Sequence, residues 1–341
     1  MKKIFALVLA LAMVLSFAAC GGQTPQPAGD TETQKVIVQI AYENNPGEPI
    51  DLGANEWKRL VEERSNGTME VQLFPSSQLG SKTDLVDQMQ MGEGIIHIGD
   101  AAFWADYGAP EMGIASAPYI YDSWDQYHKL LTTDWWQEQI DLLAQNGLRI
   151  TTSNWEYGVR ELMTTKRVGC LADLKGLIIR TPNNVMQMTT WQEMGAAPTA
   201  LALGEVYTQT TQGQIDGMEN PMATLAGQKY YEVAKYITMI DYIRMPIQWI
   251  TSEEWFQSLT EEQQKILCEC GDEAGIFHNN KQNEMLDSYM AEMEANGVEI
   301  IYPSEAEMAE FKAAAVKIYD NAEVTAKWSE GLYDRIREMI Q

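Results

Sequence analysis

Between residues 35 and 99 the chain alternates strand-like and helix-like segments, and that order constrains the fold more than any other feature. An alternating apolar run at 35–43 (KVIVQIAYE) precedes a helix-like stretch carrying Trp57, Leu60 and Val61 and closed by Asn66-Gly67. Residues 69–74 are predicted as a second strand, 83–91 as a second helix and 95–99 as a third strand. A β-α-β-α-β order needs crossovers, and crossovers between parallel strands are right-handed. These segments therefore form a parallel sheet with helices on its faces, an α/β lobe.

A helical region that should pack on the same sheet comes next, and the chain then crosses into a second lobe. Residues 123–146 read as helix, with Trp124, Tyr127, Leu130, Leu131, Trp135, Ile140 and Leu143 at three- and four-residue intervals. Two strands are predicted at 148–153 and 159–163, with Asn154 to Gly158 crossing between lobes. A short buried strand at 177–180 ends at its charged residue, before Pro182. Helices follow at 186–193, 204–212 and 222–231, and a strand at 245–252 returns the chain to the first lobe. Thr260 to Gln263 (TEEQ) has the form of a capping box, and Gly271 and Gly275 weaken the helical pattern behind it without ending it before Gly297. A helix over 261–296 would span about 54 Å, enough to brace two lobes. The expected division is 35–156 plus 245–285 for lobe I and 157–244 plus 286–341 for lobe II.

The start of the chain has a different character. Lys2 and Lys3 precede an apolar run over residues 4–17, too short for the roughly 20 residues of a spanning helix and typical of a signal peptide. Small residues then precede Cys20-Gly21, as in the lipobox of bacterial lipoproteins, although Phe17 departs from the usual aliphatic residue. Residues 1–20 are expected to be a lipoprotein signal peptide with Cys20 as lipidation site, and 21–34 (GGQTPQPAGDTETQ) a flexible tether. The mature protein is then extracytoplasmic and held to the membrane by its lipid anchor only.

Lys and Arg total 24 against 49 Asp and Glu, a formal charge of −25. Such a chain is repelled by phosphate backbones, which excludes nucleic-acid binding. His97, His128 and His278 are far apart, and HExxH, GxSxG, GxxxxGK[ST] and EF-hand patterns are absent. Neither an enzyme, a cofactor nor a metal site is expected from these residues, although metal assistance to ligand binding stays open. Cys170, Cys268 and Cys270 read as isolated small hydrophobes, the last two pointing to opposite sides of one helix.

Arg180 is the most informative residue. Its flank, 176–192, holds no Asp or Glu in a chain where acids outnumber bases two to one. An arginine ending a buried strand needs either an acid from elsewhere, such as Glu205 or Asp216, or a ligand anion. Ligands bind outside the carboxyl ends of strands in open α/β sheets, and a guanidinium fork matches a carboxylate. Arg160 follows the crossing at Gly158, and its neighbour Glu161 should face the other way. The segment 214–221 (QIDGMENP) has turn chemistry, and Asn220 before Pro221 is extended, able to aim its amide into a cleft. Trp104, Trp155 and Trp191 lie near these cleft segments, where a sugar ring could stack on them.

Taken together, LADLKGLIIRTPNN, MGAAPTAL, GEVYTQTTQGQIDGMENP and QKYYEVAKY within 171–236 resemble the solute-binding proteins of TRAP (tripartite ATP-independent periplasmic) transporters. FPSSQLG at 74–80, SAPYIY at 116–121 and SEEWFQSLTEEQQ at 252–264 carry the same resemblance across nearly the whole mature chain. It implies a two-lobe α/β fold of the periplasmic-binding-protein kind, with a ligand cleft between lobes and a long spine helix. It places the carboxylate-binding arginine on Arg180, a second arginine on Arg160 and the asparagine on Asn220, with less constant contacts on Glu43, Asp100, Asn184 and Leu203. The partners implied are a small organic acid and the TRAP permease subunits. The sialic-acid branch carries an arginine just after the position of Asp100, where this chain has Ala101, so sialic acid is disfavoured. Acids at 43 and 100 favour a hydroxylated sugar acid such as a uronate. A C4-dicarboxylate using Arg160 for its second group, or a sensor presenting its closed form to a receptor, are the alternatives.

Overall fold

The computed structural model describes residues 35–341. The signal peptide, Cys20 and the tether lie outside the described residues.

Nine strands form one sheet in the order β2-β1-β3-β8-β4-β7-β5-β6, with β9 beside β8. β1 (Val36–Ala41), β2 (Met69–Phe74) and β3 (Ile95–Gly99) are parallel, as the alternation requires. β5 (Ile178–Thr181), β6 (Ala197–Ala200) and β7 (Gly217–Pro221) form a second parallel group. Between the groups run two 17-residue strands, β4 (Leu148–Thr164) and β8 (Tyr236–Ser252), antiparallel to each other. β9 (Glu299–Ile301) pairs with the start of β8.

Four readings need correction. The two strands expected at 148–153 and 159–163 are one strand, and the strand expected at 245–252 begins at Tyr236. The crossing at 154–158 does not break the ladder, because register shifts at Ile150/Thr152, Thr152/Trp155, Glu156/Gly158 and Arg160/Leu162 bend it while pairing continues. Gly158, at φ +129°, supplies the conformation one of these shifts needs. The segment expected as a turn at 214–221 contains β7, buried throughout between β4 and β5. Gly217 fits there because a Cβ would lie 2.6 Å from the Met163 carbonyl. The 123–146 region divides into helices Trp124–Leu130 and Asp134–Gln145, the Thr133 hydroxyl accepting the Trp136 N–H of the second.

The capping box is present, and the helix behind it runs Glu261–Ala295, 35 residues or about 50 Å. It packs on helix Pro49–Arg64 and β4 and reaches helix Met222–Gly227, so one rigid rod touches both parallel groups. Under it Trp249 packs edge to face on Trp57 (5.6 Å) and Trp155 (5.1 Å), and Trp57 lies tilted against Trp155 at 6.2 Å. Trp57 donates to the Leu267 carbonyl (2.9 Å) and Trp155 to that of Gly271 (3.0 Å). The two glycines that weaken the helix make this approach possible. A Cβ on Gly271 would stand 2.9 Å from the Trp57 ring, and one on Gly275 2.1 Å from Asn154 Oδ1. Cys270 is buried beside this cluster, and burial pushes its thiol up to about 11.

Candidate functional site

The carboxyl ends of β1 and β3 face those of β5 and β7 across the β4–β8 crossing, and there a cavity opens. Glu43, Asp100, Arg160, Arg180, Leu203 and Asn220 all line it. Six of the seven ligand-contact candidates from sequence are thus brought together. Asn184 is not among the lining residues. Its Oδ1 accepts the Gln187 N–H (2.8 Å) and caps helix Val185–Glu193, while its amide donates to Gln187 Oε1 (2.6 Å).

Arg180 is 4% exposed and one residue inside the end of β5, which continues to Thr181. Its Nε and Nη2 donate to the Leu201 carbonyl at 2.9 and 2.6 Å, which fixes the plane of the fork. Among the described residues no carboxylate lies within ion-pairing distance of it. The two acids expected as alternatives are engaged elsewhere. Asp216 pairs with Lys166 (2.7 Å) and accepts the Ile178 N–H, and Glu205 accepts the Ala202 N–H (3.3 Å). A buried guanidinium with an unused Nη1 edge on a cavity has the chemistry to take an anion.

Arg160 is buried equally but differs in its partner. Its Nε contacts Glu219, and its Nη2 donates to Glu219 Oε1 and to the Glu219 carbonyl, both at 2.8 Å. Glu219 is fully buried and also accepts from Gln187 (3.2 Å) and from the Tyr242 hydroxyl. Burial works against the Arg160 charge, but Glu219 outweighs it and keeps the guanidinium protonated. The second cation is therefore already neutralised. Glu161 does face away, as expected, and accepts the Ile240 and Asp241 N–H groups at 2.7 and 3.0 Å.

Asn220 is 2% exposed, and its Nδ2 has no hydrogen-bond partner. An unpaired buried amide on the cavity wall costs about 1–3 kcal/mol unless a ligand accepts from it. On the opposite wall Asp100 caps helix Ala101–Trp104 by accepting the Phe103 N–H (3.1 Å). The Leu203 carbonyl is held by the Tyr230 hydroxyl (3.2 Å). Glu43 pairs with Lys82 at 3.6 Å. Burial would raise the Glu43 carboxyl, yet the Lys82 and Arg180 charges hold it below the ordinary range.

Sequence reasoning missed Lys82, Asn44 and Tyr157, which also line the cavity. The Asn44 amide donates to Glu48 (2.6 Å) and Tyr157 (3.3 Å), and the Thr224 hydroxyl to Tyr157 (2.8 Å). None of the ten tryptophans lines it. Trp104, Trp155 and Trp191, expected near the cleft, are fully buried in the core, so no indole offers its face to a ligand here.

A two-lobed sheet with a buried guanidinium that no carboxylate touches and an unpaired amide at the crossing suits a receptor for a small organic anion. The chain belongs to the bacterial extracellular solute-binding proteins, family 7, whose profile matches residues 40–325. It is similar to a TRAP periplasmic solute-binding protein from Ochrobacterium anthropi solved with bound L-fuconate, at 39% identity and TM-score 0.86, covering 90% of this chain and 100% of that one. A TRAP protein from Actinobacillus succinogenes with bound L-galactonate is 32% identical, TM-score 0.86, covering 89% and 99%. The 2,3-diketo-L-gulonate-binding periplasmic protein of Escherichia coli is 26% identical over 265 residues, 77% of this chain and 80% of that protein. The protein is thus a solute receptor of the extracytoplasmic transport type and not an enzyme. Among the described residues no helix is long and apolar enough to cross a membrane.

Proposed function

We propose that this protein captures a small polyhydroxylated monocarboxylate, a sugar acid, and delivers it to a TRAP permease. The observation that carries the reading is the pairing of Arg180, buried without a counter-ion, with the unpartnered Asn220 amide on one cavity. A ligand carboxylate satisfies both, and its hydroxyls find acceptors in Glu43 and Asp100. The relatives with bound L-fuconate and L-galactonate support this class. Both ligands are aldonates, so aldonates precede uronates in the order of testing.

The C4-dicarboxylate reading is weaker on this geometry. Glu219 already cancels the charge of Arg160, and a second carboxylate would also meet Glu43 and Asp100. Lipid anchoring at Cys20 and lobes divided at 156/157, 244/245 and 285/286 complete the proposal, the first division falling at the register shift beside Gly158. Closure excludes water from the Arg180 contact, and the ligand's preference for the closed form is what a permease can recognise.

The test is calorimetry with L-fuconate, L-galactonate, D-erythronate, glucuronate and malate. Sugar acids should bind, and Arg180→Ala should weaken binding by about 2–5 kcal/mol without loss of fold. Unchanged affinity in Arg180→Ala, or malate as the tightest ligand, would overturn the reading.

A further inference from the structure

Glu43, Lys82, Arg180 and Pro182 belong to two hollows at once. One is the cavity described above; the other adjoins it and is bounded by Ser81, Phe103 and the exposed Thr83 and Asn183. The Lys82–Glu43 pair and the Arg180 fork therefore stand together where the hollows meet. Lys82 Nζ lies 3.6 Å from Glu43 Oε2 and 5.0 Å from the Phe103 ring centre, and its side chain is 19% exposed. Among the described residues no acceptor lies within hydrogen-bond distance of it. Glu43 engages one side of this ammonium, which leaves donors directed at the hollows free for a ligand.

An ammonium beside a carboxylate is a selective pair of neighbours. A hydroxyl satisfies both, accepting from Lys82 and donating to Glu43, whereas a carboxylate oxygen can only accept and is repelled by Glu43. A keto oxygen likewise offers Glu43 no donor, and a methylene offers the pair neither a donor nor an acceptor. Arg180 shares both hollows with the pair and its charge acts on the Glu43 carboxyl, so a ligand anchored at the fork by its carboxylate directs its neighbouring atoms toward the pair. We infer that Lys82 and Glu43 form a specificity site that reads the hydroxyl on the carbon next to the ligand carboxylate, so that the protein selects 2-hydroxy acids over 2-deoxy and 2-keto analogues. This rests on the sugar-acid reading above.

The probe is whichever of L-fuconate, L-galactonate and D-erythronate raises the melting temperature most, titrated calorimetrically beside its 2-deoxy counterpart. The native protein should prefer the 2-hydroxy acid by at least about tenfold, the scale of one hydrogen bond to a charged group. Lys82→Met keeps the stem and removes the donors. It should lower affinity for the 2-hydroxy acid by about tenfold more than for the 2-deoxy acid and so bring the ratio close to one. Retained binding of the 2-deoxy acid shows that the variant is folded. Equal binding of the two acids by the native protein, or an unchanged ratio in Lys82→Met while Arg180→Ala abolishes binding, overturns this inference and leaves the sugar-acid reading standing. If no probe raises the melting temperature, the reading falls and the inference with it.

Discussion

Glu219→Gln should destabilise the ligand-free protein by about 3–5 kcal/mol. The substitution keeps the size and shape of the side chain and removes one negative charge. In the native protein the described hydrogen bonds of the Arg160 guanidinium all go to Glu219, and the two side chains are only 5% and 0% exposed. Charge-assisted hydrogen bonds contribute about 1.5–3 kcal/mol each, and two of them lose their ionic acceptor. The buried cation left behind has no alternative carboxylate, which is why breaking one side of such a pair costs about 3–5 kcal/mol. Urea unfolding measures it, with the slope unchanged because the surface exposed on unfolding is the same. A double-mutant cycle with Arg160→Met then isolates the pair. The double variant should be less destabilised than the sum of the single ones, since removing both charges leaves neither buried alone. A loss under 1 kcal/mol in Glu219→Gln, or simple additivity, would refute the claim that Glu219 neutralises Arg160.

Two further outcomes test the packing between lobes and along the spine. Glu48 is 3% exposed, and burial pushes its carboxyl up to about 7, against hydrogen bonds from Asn44, the Asn45 N–H and Gln228. Its folded value lies above its unfolded one, so its stabilising contribution is complete below about pH 4.5 and is lost as pH rises through about 7. Glu48→Gln should therefore gain up to about 3 kcal/mol relative to the native protein between pH 5 and pH 8. Parallel melting curves across that range would count against it. Gly275→Ala should be destabilised by about 1–3 kcal/mol, because the new Cβ would meet Asn154 Oδ1 at 2.1 Å and the Trp155 ring at 2.8 Å. Helix propensity alone gives a gain of about 1 kcal/mol, so the sign of the change in melting temperature decides.

Local chemistry made much of the fold legible. The parallel strands 69–74 and 95–99 follow from alternation, and the spine helix from Thr260 and Gln263, whose cap forms as the spacing requires. Long-range strand continuity was hidden. Asn154 to Gly158 reads as a break because Gly and Asn usually end strands, yet the pairing of β4 with β8 continues on both sides and carries the chain through. Pro221 at the end of QIDGMENP suggested a turn for the same reason, although it sits at the end of the β7 ladder opposite Arg160. The tryptophans misled in the other direction. Nearness in sequence to cleft residues says nothing about which face of the sheet an indole enters, and Trp155 enters the face covered by the spine helix.

The site shows the same division more sharply. Arg180 stood out because an acid-free flank is a local property, and local properties survive folding. Arg160 looked equivalent until its partner was known, and that partner is 59 positions away on a different strand. The role of a buried charge is set by what neutralises it, and no pattern around Arg160 encodes Glu219, just as none around Lys82 encodes Glu43. Lys82 opens a helix behind the Ser81 cap, where a cation ordinarily sits in water; only the approach of β1 and Phe103 encloses it. The two arginines therefore divide the work between them: Arg160 and Glu219 form a neutral wall, and Arg180 carries the charge that a single carboxylate can answer.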